Sequence, residues 1–147
     1  WSNPVIWSHY ADKHRGLCLG FDVPDDMVCE VKYRGTRLKA ELEHAIPRHD
    51  KDTLAYKLIT TKYKHWEYED EVRLIFNLEH VKLENKKYFV QYCDALILKE
   101  VVIGPRSELT SKDVRARLMP DEAKASIVQS RLAFRSYRVV RDRSRCG

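Results

Sequence analysis

Residues Leu96 to Ile103 form a run that is apolar apart from Lys99 and Glu100, and Gly104-Pro105 ends it. A strand with so little polar surface belongs in the middle of a sheet, covered on both sides. It needs neighbouring strands and helices with an apolar stripe to lay against them. Leu17 to Phe21 is a second, largely apolar run suited to a buried strand. Val28 to Tyr33 alternates Val28, Glu30 and Lys32 against Cys29, Val31 and Tyr33, the pattern of a half-exposed strand. Pro24-Asp25-Asp26 between these two is a turn signal, so they are expected to pair as a hairpin. Val72 to Leu78 and Tyr88 to Tyr92 read as further strands. Ile127 to Val140 reads as one or two late strands, because its apolar residues scatter around a helical wheel.

Helix starts are well marked. Asn3-Pro4 supplies an N-cap and a proline at the first helical position, and Gly16 is the expected stop. Ile6, Tyr10 and His14 then share one face at i, i+4 spacing, with Trp7 and Ala11 beside them. Residues 34–49 are ambiguous: Leu38, Leu42 and Ile46 have helical spacing, and Pro47 stops whatever forms. Asp50 opens a helix to about Lys62 with Leu54, Leu58 and Ile59 as its inner stripe. Thr110 and Asp113 form a short capping box, Leu109 and Val114 take the staple positions, and Met119-Pro120 ends that helix. This order is not an alternating βαβ pattern. It predicts an α+β fold, a single domain over residues 1–147 with a mixed, mostly antiparallel sheet and about three helices.

The 147 residues are 44% hydrophobic and 33% charged, ordinary for a soluble globular protein. No apolar run approaches the roughly eighteen residues of a membrane span, and no basic–apolar–small leader opens the chain, so neither membrane nor secretory signal is expected. The first residue is Trp, the expectation for a fragment, a processed form or a trimmed chain. Cys18, Cys29, Cys93 and Cys146 form no C-x-x-C pair, and reduced thiols in a cytoplasmic protein are expected rather than two disulfides. The net charge of +5 is uneven: residues 131–147 hold six Arg (131, 135, 138, 141, 143 and 145) against the single acid Asp142. The basic C-terminal tail, at about 141–147, is suited to gripping nucleic-acid phosphates. The alternative is a solvated strand edge with a frayed end.

Two clusters concentrate side chains that carry chemistry. In Trp66-x-Tyr68-Glu69-x-Glu71-x-Arg73, strand periodicity puts Glu69, Glu71 and Arg73 on one face. A guanidinium fork holds such carboxylates ionised and oriented. They can accept a proton, steady a developing cation or bind a metal, or simply form a salt bridge on a solvated face. Trp66 and Tyr68 beside them suit a flat small-molecule or nucleotide ligand. The opening helix brings Trp7, His9 and Tyr10, three side chains that need partners for their polar tips when buried. His9 and His14 are five apart, so the H-x-x-x-H pair of a zinc helix is absent and no metal is expected. Cys18 lies inside an apolar strand and reads as core. The reading is one ligand cleft lined by both clusters, with Trp7, His9, Tyr10, Trp66, Tyr68 and Arg73 binding and Glu69 and Glu71 acting.

W-S-H-Y-A-D-x-H-x-G-x-C-x-G-F-D at Trp7 to Asp22, followed by Lys62, Trp66, Tyr68, Glu69, Glu71 and Arg73 and then Val101-Val102-Ile103-Gly104, resembles a bacterial family, domain of unknown function 2971, over roughly residues 5–105. That family has an additional N-terminal portion that this chain lacks, which implies a truncated or divergent member. Glu69-Asp70-Glu71-Val72 is more weakly similar to the E-x-E-V strand opening of ADP-ribosyltransferase folds. That resemblance implies NAD as cofactor, Glu71 stabilising an oxocarbenium-like centre, Glu69 polarising the acceptor, and Tyr68 or Tyr10 stacking on nicotinamide. Three functions follow as expectations: an NAD-using transferase or glycohydrolase, a nucleic-acid-binding or processing module working through the Arg-rich end, and a non-catalytic interaction domain.

Overall fold

The computed structural model describes residues 1–38 and 54–145. The elements run α1 (Pro4–Tyr10), β1 (Leu17–Asp22), β2 (Val28–Glu30), β3 (Lys32–Arg34), α2 (Leu54–Ile59), β4 (Thr61–Tyr63), β5 (Val72–Leu74), β6 (Lys82–Glu84), β7 (Lys87–Phe89), β8 (Ile97–Ile103), α3 (Ser111–Arg115), β9 (Ser126–Leu132) and β10 (Val139–Arg141). The fold is α+β, and its strand pairs are mostly antiparallel, β8–β9 and β3–β4 being the parallel ones among the described residues. Two compact units are distinguished: Trp1–Val23 with Gln91–Gly147, and Pro24–Val90. Among the described residues no helix is long and apolar enough to cross a membrane.

The first unit is a sheet in the order β1-β8-β9-β10, with the apolar strand β8 inside it as expected. Val101, Val102 and Ile103 are fully buried. Val102 packs with Cys18, Val128 and Val139 against Trp7 and Ala11, so α1 and the turn after it cover one face. Leu98, Val101 and Ile103 pack with Val114 and Ala125 on the other, where α3 lies. Leu98 reaches that face although it is an odd number of residues from Val101. Gly20 pairs with Glu100 and Phe21 with Leu98, so Lys99 is an extra residue in β8 and the bulge resets the alternation. α3 connects the parallel strands β8 and β9, and it begins with the expected capping box: Asp113 Oδ2 accepts from Thr110 N at 2.8 Å and Thr110 Oγ1 accepts from Asp113 N at 3.2 Å.

Three expectations for this unit are revised. The hairpin of β1 with β2 does not form: β1 pairs antiparallel with β8, and β2 with β5. The physical reason is that β8 needs an apolar neighbour and Leu17–Phe21 is that neighbour. The opening helix does not reach Gly16. Asn3 caps it, its side chain accepting from Val5 N at 2.9 Å, but the Trp7 carbonyl accepts from both Ala11 N (3.2 Å) and His14 N (3.1 Å) and turns the chain. Asp12, Lys13 and His14 follow with φ of 42°, 53° and 74°. His14 therefore leaves the helical face of Ile6 and Tyr10. Finally, α3 stops at Arg115, short of Met119.

In the second unit, β2 pairs with β5, β3 with β4 and β6 with β7. The expected strand Val28–Tyr33 is divided at Val31, whose N–H donates to the Glu71 carbonyl at 3.0 Å, and its two halves serve different partners. α2 ends at Ile59 rather than Lys62: the Thr60 N–H (3.0 Å) and Oγ1 (2.7 Å) close the last turn on the Tyr56 carbonyl, and Thr61 already begins β4. Leu58 and Ile59, expected on an inner stripe, are exposed. The Asp50 start of that helix and the Leu42 and Ile46 spacing lie outside the described residues. β5 is shorter than expected, and a 3-10 turn occupies Leu78–His80. β6 and β7 form a hairpin through Asn85 (φ 48°) and Lys86 (φ 63°), where only Lys87–Phe89 overlaps the expected strand.

One close approach ties the opening motif to the central strand. Gly104 N donates to the Gly16 carbonyl and Arg106 N to the His14 carbonyl, each at 3.0 Å. A Cβ at Gly104 would stand 2.3 Å from the His14 carbonyl oxygen and 2.7 Å from that of Gly16, backbone atoms on both sides. Gly104→Ala is therefore expected to cost about 1–3 kcal/mol, read as a lowered urea midpoint; an unchanged midpoint would mean that the turn yields freely.

Candidate functional site

In the first unit, Trp7 and its neighbours separate. The Trp7 ring is 2% exposed, and its Nε1–H donates to the Trp1 carbonyl at 2.6 Å. This satisfies the one polar atom that burial of an indole leaves to be paired. His9 and Tyr10 lie outward with their rings edge to face at 6.3 Å. Nδ1 of His14 is buried with no hydrogen-bond partner. Burial, with Arg106 as the second cause, lowers the His14 pKa and keeps the imidazole neutral. The Cys18 thiol is pushed up by burial, which disfavours the thiolate.

In the second unit, Trp66, Tyr68, Glu69, Glu71 and Arg73 come together. Glu69 does not extend the strand as expected. It ends a 3-10 turn over Lys64–Glu69, and Asp70 follows at φ 48° in the left-handed region. Lys62, on β4, bridges the two carboxylates, donating to Glu69 and, at 3.1 Å, to Glu71. Arg73 grips Glu71 with both prongs, Nε to Oε1 at 2.6 Å and Nη2 to Oε2 at 3.2 Å, while Nη1 donates to the Ile59 carbonyl. Tyr33 Oη accepts from Glu71 N at 2.8 Å. The Glu69 side chain is 5% exposed and that of Glu71 28%. The pairs are thus shielded from water, where an exposed pair contributes little. Arg73, then Lys62, holds the Glu71 pKa below its ordinary 4.5, and Glu69 first among its neighbours keeps Lys62 protonated far into the alkaline range.

The aromatic residues stand at the edge of this network. Trp66 and Tyr68 are partly exposed with rings 6.0 Å apart, and the Lys62 ammonium lies 5.1 Å from the Trp66 ring. Lys62 also lines an open hollow of about 620 Å³ beside β3 and β4, with Arg34, Arg37, Leu58 and Tyr63. Lys62 stands in the motif that carries the family resemblance but has no part in the expected site, and Tyr33 is not singled out at all. Lys62 is four residues before Trp66, and the alternating Val28–Tyr33 pattern gives no sign that the Tyr33 hydroxyl reaches Glu71.

A third arrangement lies in the first unit. β9 and β10 pair through Leu132–Val139, Arg131–Val140 and Ser130–Arg141, and Ala133 N closes the connection on the Arg138 carbonyl at 2.9 Å. Beside this hairpin is an open hollow of about 790 Å³ lined by Arg131, Arg135, Arg141 and Arg143. Asp142 is its only lining carboxylate; it is buried and accepts from Ser144 N (3.0 Å) and Oγ (2.6 Å). Arg141 meets Glu100 at 3.6 Å in a loose, half-exposed pair. Among the described residues, Arg135 and Arg143 pair with no carboxylate. The tail expected at 141–147 is thus partly folded: Arg141 ends β10, and Arg143–Arg145 make a 3-10 turn.

Residues 6–74, just under half of the 147-residue chain, match the family described as protein of unknown function (DUF2971). This stretch is similar to DUF2971. The matched stretch begins within α1, holds β1 and the whole Lys62–Arg73 network and ends with β5; the arginine-lined hollow lies beyond it. No curated protein and no solved structure gives a significant match. No comparison ties the chain to ADP-ribosyltransferases, and the DUF2971 match brings no activity with it. Among the described residues, no group of three or more His, Cys, Asp or Glu is placed to hold a metal ion.

The network makes a pH prediction. The folded-state pKa of Glu71 is depressed, so the stability it contributes is present above its ordinary 4.5 and is lost as pH falls through the folded value. Glu71→Gln is expected to lower stability at pH 7 by about 1–3 kcal/mol and to flatten the acid side of the stability profile. Urea unfolding across the acid range reads both; an unaltered acid limb would show that Glu71 is not held by its partners.

Proposed function

We propose that this chain binds nucleic acid through the phosphate backbone, using the arginine-lined hollow beside β9 and β10. The observation that carries the reading is an open hollow lined by four arginines, of which Arg135 and Arg143 pair with no carboxylate among the described residues, while its single lining carboxylate is buried on Ser144. Guanidinium presents a planar, permanently charged fork that matches phosphate oxygens. A concave site with low-dielectric walls concentrates the field of such charges. The first 130 residues are about neutral, so the attraction comes from this end of the molecule. The reading also places the protein in the bacterial cytoplasm, among nucleic acids.

The test is salt-dependent binding. Each phosphate neutralised contributes about 0.7–0.9 to the slope of log affinity against log salt. Replacing Arg135 and Arg143 together by Ala should weaken binding of a labelled oligonucleotide and flatten that slope by about 2. Both side chains are exposed, so the fold is expected to persist. Binding that ignores the double change, or that ignores salt, would end this proposal.

A second reading has one favouring observation, the shared position of Lys62. It bridges Glu69 and Glu71, faces the Trp66 ring and lines the hollow with Arg34 and Arg37. This combination supports a small anionic ligand of nucleotide type, its phosphates near Lys62 and the arginines and its flat ring near Trp66 and Tyr68. In this reading Glu71 and Arg73 orient Lys62, and Glu69 completes the charge balance. Millimolar NAD is a suitable probe: a rise in melting temperature that Glu71→Gln abolishes is expected, and no shift in the unmodified protein would exclude NAD.

A further inference from the structure

We infer that the nucleic acid taken by the arginine-lined hollow is single-stranded, and that its bases stack on Phe134 and Tyr137 at the tip of the β9–β10 hairpin. The inference rests on the proposed phosphate binding at that hollow and specifies its substrate. Phe134 is 89% exposed and Tyr137 98%, the two most exposed large side chains among those of the hydrophobic residues described. They are three residues apart in one short turn, interleaved with Arg135 and Arg138. Phe134 and Arg135 also line the hollow. The Arg131 guanidinium lies 4.5 Å from the centre of the Phe134 ring, which steadies the ring by cation–π attraction while leaving most of its surface open.

Two rings left in water beside a hollow lined by four arginines match what an unpaired strand offers. Its backbone supplies the anionic charge and its bases supply free π-faces, so stacking tolerates any sequence. A duplex keeps those faces inside its own stack and presents phosphates and groove edges instead. An anionic membrane also attracts Arg with exposed aromatics. A bilayer surface is broad and flat, however, and the arginines here line a concave hollow of about 790 Å³.

The experiment is fluorescence anisotropy on the full chain with one labelled oligonucleotide of mixed sequence, offered as single strand and as duplex in both DNA and RNA forms. The unmodified protein is expected to prefer the single strand. Phe134→Ala and Tyr137→Ala should each weaken single-strand binding by about 5- to 100-fold and leave duplex binding unchanged, while Phe134→Trp keeps the affinity. Circular dichroism checks the fold, which substitutions at such exposed positions should not disturb. Single-strand affinity untouched in the Phe134→Ala/Tyr137→Ala double variant, with binding still lost on removing Arg135 and Arg143, would overturn the stacking inference and leave the phosphate reading in place. Failure of the unmodified protein to bind any oligonucleotide would remove both. Binding to vesicles containing an anionic phospholipid in place of oligonucleotides would overturn both and assign the charge to a membrane.

Discussion

Val101, Val102 and Ile103 have no side that water reaches, so β8 can exist only with a layer of apolar side chains on each face. Trp7 and Ala11 supply one layer and Val114 and Ala125 the other. The edges follow the same demand: β1 pairs on one side and β9 on the other, with β10 beyond. The chain then leaves β8 at Gly104, where a backbone without Cβ lets the His14–Gly16 turn approach and accept two N–H donors. Burial of a strand and close backbone contact are therefore one construction. The opening Trp7–Gly16 motif serves it twice, through the Trp7 ring and through the carbonyls of its turn. The three left-handed residues Asp12, Lys13 and His14 are conformations that L side chains adopt at a cost. The two hydrogen bonds to residues 104 and 106 help offset it.

The Lys62–Glu69–Glu71–Arg73 network works on a different principle. Two carboxylates near each other repel and raise each other's pKa unless cations intervene. Here Lys62 lies between them and Arg73 clasps the second, so Glu71 is held ionised and each cation is matched. The ligands of this arrangement come from β4, the 3-10 turn and the approach to β5, while Tyr33 on β3 receives the Glu71 N–H. Removing one member leaves the others partly shielded and unpaired, which is costlier than never having buried them. A network so closed resembles a strut as much as a catalytic pair. Its departure from that role is Lys62, which faces both the carboxylates and an open hollow.

The sequence was most legible where a residue type has a single physical use. Asn3-Pro4 and Thr110 with Asp113 mark helix starts because a backbone N–H needs an acceptor there, and both caps are present. The β8 run was readable because apolar residues on both faces admit only a central position. Legibility failed where two local patterns competed. Periodicity extended α1 to His14 and α2 to Lys62, whereas α1 ends at Tyr10, where the Trp7 carbonyl also takes the His14 N–H, and α2 ends at Ile59, because Thr61–Tyr63 pairs as β4 with β3. Strand pairing was harder still: nothing in Leu17–Phe21 or Val28–Tyr33 says that their partners lie far along the chain, at β8 and β5. At the candidate sites, the grouping of Glu69, Glu71 and Arg73 was visible in their spacing. Lys62 as the bridge was not, since it arrives from another strand. The arginines were visible as a count, and their arrangement around a hollow required the hairpin.

The two arrangements differ in how their charge is spent. In the second unit each carboxylate meets a cation at short range, so little field extends outward, and any ligand must compete with pairs already formed. Around β9 and β10 the imbalance is left open: the one lining acid is turned on Ser144, and Arg135 and Arg143 face no carboxylate among the described residues. Like charges gathered without compensation lower the stability of a fold. A fold that leaves Arg135 and Arg143 without a carboxylate beside one hollow retains a cost that an anion there would reduce. The same holds for Phe134 and Tyr137, whose apolar surface gains nothing from the protein's own core. Both kinds of unspent interaction meet at one hairpin tip, and a ligand that is anionic along its backbone and aromatic at its side satisfies the two together.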